Sequence, residues 1–106
     1  MPRYLVQFSY TGEGVKGLLK EGGTSRRDAT EKLVKSLGGT LEAYYFAFGE
    51  TDGFALVDLP DNASTAAINL TVAASGAVTT KTTVLITPEE VDAAVKKTPS
   101  YRPPGK

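Results

Sequence analysis

Apolar and polar positions group into short segments divided by glycine, proline and acid-rich turns. Residues 3–10, Arg-Tyr-Leu-Val-Gln-Phe-Ser-Tyr, are rich in β-branched and aromatic types and predict a strand. Gly12 and Gly14 break it, and Val15, Leu18 and Leu19 predict a short helical turn interrupted at Gly22-Gly23. Ser25 is the expected N-cap of a helix over about 26–37, whose apolar stripe is Ala29, Leu33, Val34 and Leu37. Gly38-Gly39 ends it. Residues 40–48 predict a second strand, 49–53 a hairpin loop and 53–59 a third strand stopped by Pro60. Asp61 or Asn62 caps an Ala-rich helix over about 62–75, and residues 77–86 predict a fourth strand. Thr87-Pro88-Glu89-Glu90 has the spacing of a capping box with proline at the first helical position, opening a helix to about Lys97. Three prolines and no acids in residues 98–106 predict an extended tail.

The order β-α-β-β-α-β plus one extra helix is the α+β, ferredoxin-like arrangement, with a domain over residues 1–97 and the tail over 98–106. Helices cover one face of such a sheet. If the other face met water, each strand would alternate cleanly between apolar and polar. These strands do not. In the second strand Glu42, Tyr44, Phe46 and Phe48 share one face and Leu41, Ala43, Tyr45 and Ala47 the other. In the third, Phe54, Leu56 and Asp58 oppose Ala55, Val57 and Leu59. The smaller set is expected under the helices. The larger set, with Tyr44, Phe46, Phe48 and Phe54, then needs a second cover, and a second copy of the chain is the expected one.

Composition removes most chemistry. Twelve Lys and Arg balance twelve Asp and Glu across 106 residues, so neither a nucleic-acid partner nor an anionic membrane is expected. No Cys, His or Trp is present. That excludes thiol nucleophiles, disulfide frameworks and the commonest general base and metal ligand. No metal or other cofactor is expected. No apolar run approaches a membrane span, and the first residues have no signal-peptide layout, so the cytoplasm is the expected compartment.

Segments 4–11 (Tyr-Leu-Val-Gln-Phe-Ser-Tyr-Thr), 32–39 (Lys-Leu-Val-Lys-Ser-Leu-Gly-Gly), 41–49 (Leu-Glu-Ala-Tyr-Tyr-Phe-Ala-Phe-Gly), 75–83 (Ser-Gly-Ala-Val-Thr-Thr-Lys-Thr-Thr) and 85–90 resemble the GYD domain proteins of bacteria. The namesake motif falls at Gly49-Glu50-Thr51-Asp52, with Thr51 where the family has Tyr. The resemblance implies a dimeric α+β barrel, a fold shared by many cofactor-free oxygenases and isomerases. It does not imply an activity.

Small barrels of this kind hold ligands between sheet and helices or between sheets. Gln7, Ser9, Glu42, Tyr44, Asp58, Thr79, Lys81 and Thr83 are the polar residues expected to face such a space. Lys81, mid-strand in an uncharged run, is a candidate base or Schiff-base former, or else the ion-pair partner of Glu42 or Asp58, or an edge-strand charge. Asp52 is a candidate general base or a turn former, and Tyr44 and Tyr45 are candidate donors or packing residues. Arg26 and Arg27, near a helix start, are a candidate anion site or a solvated face. Glu42, Tyr44, Thr79, Lys81 and Thr83 form the expected ligand-binding set, with Lys81, Tyr44 and Asp52 as the catalytic candidates. Two function classes follow. One is a homo-oligomeric small-ligand-binding or interaction module. The other is a cofactor-free oxygenase, isomerase or dehydratase acting on a small carbonyl or phenolic compound.

Overall fold

A computed structural model of the chain describes residues 1–106. The elements are β1 (Arg3–Tyr10), α1 (Gly12–Glu21), α2 (Gly23–Ser36), β2 (Thr40–Phe46), β3 (Gly53–Asp58), α3 (Asn62–Ala74), β4 (Val78–Leu85) and α4 (Pro88–Val95). The strands form one antiparallel sheet in the order β2-β3-β1-β4, as the ferredoxin-like reading requires. α2 packs over β2 and α3 over β4, on the same face.

The helices correct the sequence reading at two places. The segment after β1 is a ten-residue helix, not a single turn. Thr11 caps it, its Oγ1 accepting from Gly14 N at 3.2 Å. The next helix starts at Gly23, so Ser25 lies inside it and caps nothing. Gly22 alone separates the two, at φ 83°, a left-handed value that only glycine takes without strain. Asp61 caps α3 through Ser64 N at 2.8 Å. Thr87 and Glu90 form the full capping box of α4. Every residue from Pro88 onward is exposed, and the molecule measures 56 × 33 × 23 Å, so α4 and the tail stand off the body.

The core lies between sheet and helices. Tyr4, Phe8, Val34, Ala55, Val57 and Leu59 are its buried members, with Tyr4 and Leu59 at 1% exposure. Register explains the set: Tyr4 faces Val57 across the β1–β3 ladder, Val6 faces Ala55 and Phe8 faces Gly53. A side chain at Gly53 would overlap the Phe8 ring, so glycine there is what lets the ring lie flat on the sheet. The Tyr4 hydroxyl donates to Asn62 Oδ1 at 2.6 Å, which joins the core to the start of α3.

β2 overturns the expected facing of the aromatics. Leu41 pairs with Val57, but the next partner of β3, Leu56, pairs with Ala43. Glu42 is therefore an extra residue, a β-bulge, and every side chain after it changes sides. Tyr44 and Phe46 turn toward the helices and pack with Phe8, at ring separations of 5.1 and 6.2 Å. Phe48 lies beyond the strand with its ring fully exposed. Of the four aromatics expected on the uncovered face only Phe54 is there, with Leu56 and Asp58 beside it as expected. Leu5, Ala43, Tyr45 and Leu85 join them, so that face is apolar partly through different residues.

The same face carries an ion pair. Arg3 Nε donates to Asp58 Oδ1 at 2.7 Å and Nη2 to Oδ2 at 3.1 Å, with Glu42 at 3.9 Å. The guanidinium holds the Asp58 carboxyl below the usual carboxylate range. A carboxyl depressed in the folded state contributes stability above its unfolded pKa, and that contribution is lost as pH falls through the folded value. Asp58→Asn is accordingly expected to lower the urea midpoint at neutral pH and to flatten its fall below about pH 4. Urea midpoints measured on both chains between neutral pH and about pH 3 check this.

Candidate functional site

The sheet and helices α2 and α3 enclose a cavity of about 100 Å³. Its walls are mainly apolar, with Phe8 and Val57 from the sheet, Leu33 and Val34 from α2, and Ile68 and Val72 from α3. Four polar residues gather at its outer edge: Tyr10, Arg26, Thr30 and Tyr44. A wider hollow of about 350 Å³ shares Tyr10, Arg26, Val72 and Val78, and is bounded by Glu13, Leu18 and Glu21 of α1.

Local structure sets each group. Alternation along β1 puts Tyr10 on the same face as Tyr4 and Phe8. Arg26 and Thr30 are one helical turn apart on α2, and Thr30 Oγ1 donates to Arg26 O at 3.0 Å. The bulge at Glu42 delivers Tyr44, which stacks on Phe8 and meets Phe46 edge-on at 5.4 Å. Asn69 lies on the α3 side, its Nδ2 donating to Thr82 Oγ1 at 2.9 Å.

Burial pushes the Tyr44 hydroxyl well above the usual phenol range, and the neighbouring Tyr10 adds to the shift. Burial opposes the charge on Arg26, but Tyr10 and Glu21 outweigh it and hold the guanidinium pKa above its ordinary value. Arg26 Nη1 lies 3.4 Å from Glu21 Oε1. At neutral pH both Tyr44 and Arg26 are protonated donors. The site can grip an acceptor; nothing in it is poised to take a proton.

Of the residues expected to form a site, Tyr44 and Arg26 line this cavity. Thr79, Lys81 and Thr83 are exposed on the uncovered face, with Lys81 on the edge strand β4. Glu42 and Asp58 are both engaged by Arg3, so neither is the partner of Lys81. Asp52 is a fastening: Oδ2 accepts from Tyr10 N at 2.7 Å, and its own N–H donates to Phe8 O at 2.9 Å. Thr51, in the place of the family Tyr, lies 3.4 Å from Gln7 Oε1. Arg26 and Arg27 separate: the first lines the cavity, the second pairs with Asp28 in solvent. Tyr10, Thr30 and Asn69 were not anticipated; shared parity with Tyr4 and Phe8 was the signal for Tyr10.

No helix is long and apolar enough to cross a membrane. No curated protein and no solved structure matches the chain. The family model of the GYD domain matches residues 4–95, which takes in all of the sheet but Arg3, all of the cavity wall and all four helices. The chain belongs to the GYD domain family.

Proposed function

We propose that the chain is a small-ligand-binding module that works as a homodimer, the ligand lying between sheet and helices. The cavity carries this reading: an apolar hollow with a few converging polar groups at its mouth is the usual make-up of a small-molecule site. The uncovered face supports the dimer. Leu5, Phe54 and Leu56 are only half-buried and Tyr45 is 69% exposed in a single chain. Lys81 lies toward one edge of that face and Glu42 with Asp58 toward the other. A two-fold axis along the strands sets these unlike edges opposite each other. Binding fits the cavity better than catalysis, because Lys81, Asp52 and Glu42 lie outside it and Tyr44 holds its proton.

Amide chemical shifts in ¹⁵N-labelled protein test the reading. Titration with single-ring apolar compounds is expected to move Ala55, Val57 and Ile68, which line the cavity. Ala29→Leu, which adds carbon at the wall from an exposed helix position, is expected to weaken binding about tenfold. Unmoved signals at those three residues across such a series would rule the cavity out as a binding site.

A further inference from the structure

We infer that the occupant is a small monocarboxylic acid, with its single ring or short chain in the cavity and its carboxylate on Arg26 in the place now held by Glu21. The inference rests on the ligand-binding reading above and adds the ligand's chemistry. Arg26 is the only charged side chain on the cavity wall, so a buried ligand charge must be negative and single. Of the four polar groups at the mouth, Thr30 spends its proton on Arg26 O, and the other three can donate to a ligand. A guanidinium has five N–H donors and no acceptor, and Tyr10 and Tyr44 offer hydroxyl protons, that of Tyr44 held on by burial. The complement of three donors is an acceptor with no proton of its own, and an ionised carboxylate is one.

Glu21 shows that the position accepts a carboxylate, and that its own hold is loose. The 3.4 Å contact to Arg26 Nη1 exceeds the 2.7–2.9 Å of a good charge-assisted bond and uses one donor of five. The Glu21 side chain is 40% exposed, and a pair so open to water contributes little. It stands at the last position of α1, where its exposed side chain can swing out into solvent without moving the helix. Volume limits the rest of the ligand. An engineered cavity of roughly 150 Å³ in another protein holds benzene. About 100 Å³ here is smaller, so one ring or a short chain is the most the cavity takes, with the polar end toward the wider hollow.

Calorimetric titration of the full chain with benzoate and with its neutral isostere benzamide, at fixed ionic strength, is the test. Benzoate is expected to bind at least tenfold more tightly. Arg26→Gln should cost benzoate about thirtyfold and benzamide no more than about threefold. Glu21→Gln, on a half-exposed residue that the fold does not need, should tighten benzoate about threefold by removing its competitor. Equal affinity for the two compounds, or benzoate binding that survives Arg26→Gln, overturns the carboxylate assignment and leaves the cavity reading standing. Weaker benzoate binding in Glu21→Gln overturns the displacement. If neither compound nor any apolar fragment shifts the cavity amides, the ligand-binding reading falls and takes this inference with it.

Discussion

Leu59→Ala is expected to lower stability by about 4 kcal/mol and the melting temperature by roughly 20 °C. Leu59 follows β3, is 1% exposed, and its N–H donates to Pro2 O at 3.1 Å. Truncating a buried leucine loses the transfer energy of the removed carbons and adds a cavity term that depends on how far the walls relax. Here the side chain already lines a hollow. The new space joins the old, and walls spanned by a sheet and two helices have little freedom to close, which places the cost toward the upper end of the usual range. Circular-dichroism melts of both chains check it. A loss below about 2 kcal/mol would mean that the walls collapse inward and that the cavity is soft rather than preformed.

The same geometry explains what could be read from residues alone. Element order followed from local chemistry: the Thr87 box, the Asp61 cap and the apolar runs at 3–10 and 53–59 state their conformation within a few residues. α1 was hidden by Gly12, Gly14 and Gly17, which are poor helix formers. Tertiary contact explains one of them: a Cβ at Gly14 would collide with the carbonyl of Ala77, whereas Gly12 and Gly17 face open space. The facing of β2 was hidden for a different reason. Alternation counts residues, and a bulge inserts one that the count cannot see, so parity assigned Tyr44 and Phe46 to the wrong side. That single insertion also moved the site. Glu42, Thr79, Lys81 and Thr83 stayed on the uncovered face, and Tyr44 alone crossed to join Tyr10 and Arg26.

Leu56→Asp is expected to leave the fold in place and reduce the particle in solution to a single 11.2 kDa chain. Leu56 points away from the helices, between Leu5 and Ala43 on the uncovered face. In a lone subunit a carboxylate there meets water at little cost. In a sheet-to-sheet dimer, two copies of it face a second apolar sheet without a partner, a penalty of several kcal/mol. A loss of about 3 kcal/mol already weakens association more than a hundredfold. Phe46→Asp is the control that separates the two faces. Phe46 packs on Phe8 and Tyr44 under the helices, so its replacement is expected to lower the melting temperature and leave the mass unchanged. Light scattering coupled to size exclusion reads both. A wild-type chain that already elutes as one subunit, or Leu56→Asp with undiminished mass, would refute the sheet-to-sheet dimer.

Asp52 gives the motif for which the family is named a mechanical sense in this chain. Its carboxylate grips the main chain of β1 at Tyr10, and its amide grips the same strand at Phe8, two residues back. The hairpin is thereby buckled to the strand that feeds one ring to the bottom of the hollow and another to its rim. The aspartate does this with no help from position 51, where a threonine serves. The turn behaves as a buckle, and in this chain it stays fastened with a threonine beside the aspartate.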